Sequence, residues 1–213
     1  MGTLYWQIND CCPGASWSSM DSYGRWKALQ YNVKKAYKDV IISSHRDKGN
    51  IEIYAVSDKY ENIPVKARFR LMNFNGRVIR SEEKKLTLPA NTSTSIHKII
   101  ENEWLRPKDT VSTFLHISLF EDDKELCQNT IFFAKPKNVV LPKAEILIKK
   151  IDRNHVSVYS DKLARFVWLY LPESINAFSD NYFDLLPGEI KILKVNEHFS
   201  LKDIQVKSLA DMK

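Results

Sequence analysis

The hydrophobic pattern of the chain changes near residue 38. Before it, a run of apolar and β-favouring residues from Thr3 to Ile8 leads through a turn-forming stretch to apolar residues at helical spacing. We predict a strand over Thr3 to Ile8, buried on both faces as in a parallel sheet because its apolar residues do not alternate strictly with polar ones. A short amphipathic helix follows, with a predicted buried face of Trp26, Leu29, Val33 and Tyr37.

Short β runs bounded by turn residues make up the rest of the chain. The predicted strands are Asp39 to Ser44, Asn50 to Ser57, Val65 to Met72, Ser95 to Ile100, Thr113 to Phe120, Asn129 to Ala134, Glu145 to Ile151, His155 to Ser160, Ala164 to Leu171, Tyr182 to Leu186, Glu189 to Val195 and Ile204 to Ser208. Two of them alternate clearly, so each should place one face in a core: apolar side chains lie opposite Lys66, Arg68 and Arg70 in one, and opposite His116 and Ser118 in the other. About seven short strands in about a hundred residues, with no helix between them, predict an immunoglobulin-like β-sandwich.

A proline-punctuated, charged crossing from Lys135 to Lys143 marks a domain boundary. We therefore predict three segments: a strand-and-helix unit at 1–37, a β-sandwich at 38–138 and a smaller β-sandwich at 139–213. A single strand and helix cannot form a domain, because the strand needs neighbours and the helix needs a sheet to cover. We expect this unit to be the end of a larger α/β domain whose other strands are missing.

Charge, cysteine and histidine usage exclude several classes of function. The net charge of +6 comes from 32 basic and 26 acidic residues that are scattered along the chain, so no nucleic-acid partner is expected. The three cysteines include one adjacent pair, and the five histidines lie far apart in the sequence, so we expect neither a disulfide framework nor a metal site. No cofactor is expected, and no apolar run reaches the ~18 to 20 residues needed to span a membrane.

Two stretches carry a resemblance to a known family. The runs WQIND and CCPGASWSSMDSYGRWKAL closely resemble the end of the catalytic barrel in the β-mannosidases of glycoside hydrolase family two, departing from the family pattern at Cys12 and Gly14. The segment from Phe178 to Glu189 resembles the terminal β domain of the same enzymes. The resemblance implies a mainly β fold: two immunoglobulin-like β-sandwich domains preceded by the last strand and helix of a (β/α)8 barrel.

The same resemblance implies which catalytic and substrate-binding residues this chain carries and which it lacks. Retaining glycoside hydrolysis needs two carboxylates, and the family carries both as glutamates on earlier barrel strands. No glutamate precedes Glu52 here, so we assign no catalytic residue and predict that the chain alone is inactive. Trp6 is the predicted sugar-stacking residue of the substrate pocket, with Asn9 and Asp10 as polar contacts, whereas Trp17 and Trp26 are expected to be packing residues.

The implied partners follow from this reading. In the full-length protein they would be a β-mannoside or oligosaccharide substrate and the missing barrel, in intramolecular contact with this chain. Alone, the strand at Thr3 to Ile8 would leave its edges and apolar side chains uncovered, which favours disorder, non-native docking or pairing with another copy. The alternative function is an independent, noncatalytic carbohydrate- or protein-binding β-sandwich module. The sequence does not fix the compartment; periplasmic, secreted and lysosomal locations all suit the parent protein.

Overall fold

The computed structural model describes residues 4–105, 109–172 and 174–212. Its helices and strands are α1 (Ala28–Ala36), β1 (Val40–Asp47), β2 (Asn50–Ser57), β3 (Ile63–Asn73), β4 (Val78–Leu88), β5 (Thr92–Ile100), α2 (Glu101–Trp104), β6 (Thr113–Glu121), β7 (Lys124–Phe132), β8 (Ile146–Lys150), β9 (His155–Ser160), β10 (Ala164–Tyr170), β11 (Phe183–Leu185), β12 (Ile190–Lys194) and β13 (Gln205–Lys207). Three short 3-10 helices lie at Pro136–Asn138, Leu201–Asp203 and Leu209–Met212. No helix in the described part of the chain is both long and apolar enough to cross a membrane.

The chain divides into two compact units. One is continuous, Tyr37–Leu141, and is called the central unit below. The other joins the N-terminal segment, Met1–Ala36, to the C-terminal part, Pro142–Lys213, and is called the terminal unit. The N-terminal segment therefore packs with residues more than a hundred positions away in the sequence. The three predicted domains at 1–37, 38–138 and 139–213 stay a prediction.

The central unit consists of two antiparallel sheets around one core. The first has the strand order β1-β2-β5 and the second β4-β3-β6-β7. Alternation in the sequence decides which side chains enter the core: Ile51 and Ile53 from the first sheet, and Phe69 and Leu71 from the second, are at most 1% exposed and belong to one cluster. Short turns after residues 47, 73 and 121 join β1 to β2, β3 to β4 and β6 to β7.

Strand β6 departs from the prediction because both of its faces are buried. Leu115 and Ile117 enter the core as expected, but His116 and Ser118 on the opposite face are only 2% and 1% exposed. Phe114, on that second face, stacks on Phe132 with ring centroids 6.1 Å apart. Burial, together with the positive charges of Arg70 and Arg68, lowers the pKa of His116 to about 3, so the imidazole is neutral at ordinary pH.

The C-terminal part of the terminal unit also forms two small sheets. Their strand orders are β12-β9-β8 and β11-β10-β13, and all pairs are antiparallel. Val158 from the first sheet packs with Val167, Phe183 and Leu185 from the second in one hydrophobic cluster. The pairing of β10 with β11 shifts register between Ala164 and Val167.

The N-terminal segment departs from the predicted strand. Thr3 lies outside the described residues, and residues 4–8 form no strand; Asn9 makes a single parallel bridge to Met20. The chain offers no strand on either side of this run within the described residues, so its backbone lacks the partners that a buried strand needs. Leu4 is 95% exposed and Ile8 is 57% exposed, the opposite of a strand buried on both faces.

Helix α1 forms where predicted, but only two residues of the predicted buried face, Trp26 and Val33, are half-buried, and the other two are exposed. Tyr31 is 2% exposed, whereas Leu29 is 40% exposed and Tyr37, beyond the end of the helix, is 57% exposed. The reason is tertiary: the Tyr31 ring packs edge-on against Trp26 at 5.2 Å and against Tyr182 at 5.8 Å. The helix is oriented by Tyr31, which helical periodicity did not select.

Candidate functional site

The loop of the N-terminal segment is folded around a buried carboxylate. Backbone hydrogen bonds lay residues 7–10 beside residues 18–20: the Met20 amide donates to the Ile8 carbonyl at 2.8 Å, and the Asp10 amide donates to the Met20 carbonyl at 3.1 Å. The Ser19 hydroxyl adds a bond to the Ile8 carbonyl at 3.0 Å. This reversal brings Asp10, which is 8% exposed, next to side chains that follow it by 6 to 17 positions.

Asp10 is held by Lys27 and two serines. The Lys27 ammonium donates to Asp10 Oδ2 at 2.8 Å, to Ser18 Oγ at 2.8 Å and to Ser16 Oγ at 3.1 Å, which uses all three of its donors. The Ser16 hydroxyl donates to the other carboxylate oxygen. The hydrogen bond from Lys27, with those from Ser16 and Ser18, lowers the pKa of Asp10 to about 2. The carboxylate is therefore ionised and neutralised at ordinary pH, which suits a structural anchor rather than a general acid.

The other two predicted site residues face solvent. Trp6 is 77% exposed, and Asn9 is exposed with its side-chain amide donating to the Asp10 carbonyl at 3.3 Å. Trp17, expected to be a packing residue, is 80% exposed, so that expectation does not hold in this structure. Trp26 is half-buried and packs on Tyr31 as expected. The structure thus brings Asp10 into an ion pair and leaves Trp6 and Asn9 at the surface.

Neither acidic residue of the N-terminal segment is free for acid–base chemistry. Asp10 is paired with Lys27, and Asp21 forms an ion pair with Arg25 at 2.6 Å. Burial would raise the pKa of Asp21, but hydrogen bonds from Arg25 and Tyr23 hold it below its ordinary value. Across the described ranges, no three His, Cys, Asp or Glu side chains lie close enough together to hold a metal ion.

A network of polar contacts joins the N-terminal segment to the C-terminal part of the terminal unit. The Asn176 side chain accepts from the Trp26 amide at 2.8 Å and donates to the Gly24 carbonyl at 2.9 Å, replacing a backbone partner for both. From α1, Lys35 forms an ion pair with Asp180 at 3.3 Å. These contacts link α1 and its preceding turn to the loops around β11.

A cavity of about 350 Å³ lies in the same unit. Its aromatic lining comprises Trp26, Tyr31, Trp168, Tyr170, Phe178 and Tyr182. The sequence pattern alone did not predict a site here. The available signal was the spacing of Trp168 and Tyr170, two residues apart on one predicted strand, which places both rings on the same face. The rings that complete the lining come from distant parts of the sequence.

Comparison with known proteins identifies both β regions. The family described as "Mannosidase Ig/CBM-like domain" matches residues 49–138, and the family described as "Ig-fold domain" matches residues 141–212. The mainly β fold with two immunoglobulin-like domains is thereby confirmed.

Relatives and solved structures match almost the whole chain. A β-mannosidase of Rattus norvegicus is 27% identical over 91% of this chain and 23% of its own length, and β-mannosidase A of Aspergillus fumigatus is 26% identical over 100% of this chain and 26% of its own. The crystal structure of β-D-mannosidase from Dictyoglomus thermophilum is 27% identical, with a TM-score of 0.82 over 96% of this chain and 26% of that one. The exo-chitosanase CsxA of Amycolatopsis orientalis, 14% identical, shares the fold with a TM-score of 0.70 over 96% of this chain and 29% of that one.

The chain spans about a quarter of the length of the curated relatives that it matches. Within that quarter, both immunoglobulin-like regions are matched by mannosidase-related families, and a solved β-mannosidase follows nearly all of the chain. The chain corresponds over nearly its whole length to a C-terminal portion of the β-mannosidases of glycoside hydrolase family two.

Proposed function

We propose that this chain serves a retaining β-mannosidase that removes terminal β-D-mannosides. It supplies the two immunoglobulin-like supporting domains and an N-terminal segment that forms the last strand and helix of the catalytic barrel once the other barrel strands are present. The observation that carries the proposal is the similarity to β-mannosidases over 91 to 100% of this chain but only about a quarter of theirs. Neither catalytic glutamate is assigned to this chain, so the chain alone does not hydrolyse glycosides.

The N-terminal segment contributes to the sugar pocket through Trp6. Its exposed indole offers a flat apolar face of the kind that stacks on a pyranose ring, and barrel enzymes build their sites where strands end in loops. The ion pair between Asp10 and Lys27 fixes the loop that follows Trp6. The exposed side chain of Asn9, in the same loop, is available for a polar contact with the sugar. The uncovered side chains of Leu4 and Ile8 are the contact surface for the remaining barrel.

A chimera tests this role. The matching quarter of the Dictyoglomus thermophilum β-D-mannosidase is replaced by this chain, and hydrolysis of p-nitrophenyl β-D-mannopyranoside is measured. We expect an active chimera in which Trp6→Ala lowers kcat/KM by about tenfold or more, because a stacking contact to the sugar is lost. Tyr60→Ala, at an exposed aromatic residue of the central unit, is the matched control and should leave the rate unchanged. A folded chimera without activity, or one indifferent to Trp6→Ala, contradicts the proposal.

The isolated chain separates this proposal from an independent binding module. A module should be strongly retarded in native gels containing mannan, with micromolar affinity, whereas a supporting region has no reason to bind the polymer tightly.

The exposed N-terminal segment also predicts self-association of the isolated chain, because no other barrel strand covers its apolar side chains. Sedimentation velocity would detect this self-association. Trp6→Asp should then reduce the fraction of dimer.

A further inference from the structure

The cavity of the terminal unit has the dimensions of a site for a small ligand. Its volume of about 350 Å³ lies at the lower end of the ~300–1,000 Å³ typical of small-molecule pockets. One wall is formed by Trp26, Ala28 and Tyr31 of the N-terminal segment, and the other by Trp168 and Tyr170 of β10 with residues of the following loops. A space of this size suits a ligand of one or two rings.

Three aromatic rings lie nearly parallel along one side of the cavity. Trp168 stacks on Tyr170 with centroids 4.5 Å apart and an angle of 23°, and on Tyr182 with centroids 6.0 Å apart and an angle of 11°. All three are only partly buried, so a ligand in the cavity can reach them. Tyr31, 2% exposed, packs behind Tyr182 at 5.8 Å and fixes its ring. Such a rigid aromatic surface matches flat, apolar faces.

The polar groups of the cavity are neutral or already paired. The charged residues of the lining are Asp21, Arg25 and Lys27; Asp21 is paired with Arg25, and Lys27 is paired with Asp10, so the cavity presents no unbalanced charge to a ligand. Among the residues that the structure describes, none forms a hydrogen bond with the Tyr182 hydroxyl. Burial raises the pKa of this hydroxyl, so it stays protonated and uncharged. Ser174 donates its proton to Glu197 and keeps its oxygen lone pairs as acceptors. The cavity therefore combines aromatic surface with uncharged hydroxyl groups.

The backbone around the cavity is also unusual. Tyr182 and Asn176 both have positive φ, +52° and +54°, in a region that residues other than glycine rarely adopt. Such conformations cost free energy and persist where the surrounding structure requires a particular side-chain direction. Here they set the direction of two side chains that line the cavity.

We propose that this cavity binds a neutral pyranoside, a monosaccharide or disaccharide, which stacks on the rings of Trp168 and Tyr170 and forms a hydrogen bond with the Tyr182 hydroxyl. Pyranosides have the required chemistry, since each has apolar C–H faces edged by hydroxyl groups and carries no charge. Trp6 does not line the cavity, so the site does not depend on the role proposed for Trp6.

Isothermal titration calorimetry on the full 213-residue chain tests the proposal, with methyl β-D-mannopyranoside and methyl β-D-glucopyranoside as probes and p-cresol as an apolar aromatic comparison. Three variants are compared with the unmodified chain. Tyr182→Phe removes the hydroxyl and keeps the ring. Ala28→Leu adds a larger side chain to the wall while keeping a good helix former at the start of α1. Tyr60→Ala removes a 94% exposed aromatic residue of the central unit as a control.

We expect saturable millimolar binding of at least one pyranoside. Tyr182→Phe should weaken it about fivefold, the effect of one lost hydrogen bond, and Ala28→Leu should weaken it about tenfold or more. Tyr60→Ala should leave it unchanged. Absence of pyranoside binding, binding of p-cresol alone, or equal weakening by the Tyr60→Ala control overturns the proposal. If Ala28→Leu does not fold, Tyr182→Phe decides, since a pyranoside affinity unchanged by that variant refutes the predicted contact. None of these results bears on the activity of the chimera.

Discussion

Asn181 replaces a strand partner in the core of the terminal unit, and its removal should be costly. β10 pairs with β11 only as far as Val167, opposite Phe183. Beyond it, Asn181 Oδ1 accepts from the Leu169 amide at 2.8 Å and Asn181 Nδ2 donates to the Leu169 carbonyl at 2.7 Å. Asn181 is 5% exposed and Leu169 is 1% exposed, so water cannot readily substitute for either bond. The side chain thus completes the pairing of a strand whose partner has ended.

We expect Asn181→Ala to lower the free energy of unfolding of the terminal unit by about 2–4 kcal/mol. Each buried backbone group left without a partner costs about 1–3 kcal/mol, and partial relaxation of the loop offsets some of the sum. Urea denaturation followed by tryptophan fluorescence suits the measurement, since Trp6, Trp17, Trp26 and Trp168 all belong to this unit.

The control for this prediction is Asn196→Ala, an exposed asparagine of the same unit, for which we expect a change below about 0.5 kcal/mol. If Asn181→Ala unfolds at the same urea concentration as Asn196→Ala, with the same dependence on urea, the Asn181 side chain does not stabilise the unit as described. A faster exchange of the Leu169 amide in Asn181→Ala would locate the effect at the lost bond.

Three further predictions follow from charge and burial. Asp10 has a pKa of about 2 when folded and about 3.9 when unfolded. Its contribution to the stability of the folded terminal unit is therefore complete above pH ~4 and is lost as the pH falls through about 2. Asp10→Asn should remove this part of the pH dependence of unfolding. His116 has a pKa of about 3 when folded and about 6.5 when unfolded, so the central unit should lose stability as the pH falls from ~6.5 towards about 3, and His116→Gln should flatten that slope. Burial raises the pKa of Cys127 to about 12, so Ellman's reagent should label only Cys11 and Cys12 in the native chain; rapid labelling of all three thiols would contradict its burial.

Alternation predicted the strands that bury one face. In β3 the side chains of Val65, Ala67, Phe69 and Leu71 are buried, as the sequence pattern indicates. The adjoining strand β4 was missed because its central residues, from Arg80 to Lys85, are charged or polar. It forms by pairing with β3 along its whole length, and its exposed outer edge tolerates charge. Hydrogen bonding to a neighbour, which single-sequence periodicity does not register, decided its structure.

The candidate site was predictable only in part. The sequence selected Trp6, Asn9 and Asp10 through family resemblance, but the pairing of Asp10 with Lys27 depends on a chain reversal between residues 8 and 20 that periodicity cannot reveal. The same limit applies to the buried face of α1, which is set by contact between Tyr31 and Tyr182, residues 151 positions apart in the sequence. Local patterns indicated which elements form, and contacts distant in sequence decided which faces they bury.

The most direct test of the account is the rate at which the purified 213-residue chain hydrolyses p-nitrophenyl β-D-mannopyranoside. We predict no p-nitrophenol release above the uncatalysed background at any pH from 4 to 8, because the proposed function assigns neither of the two catalytic glutamates to this chain. Turnover that co-purifies with the chain, and that disappears when one of its own carboxylates is replaced by the corresponding amide, would contradict it.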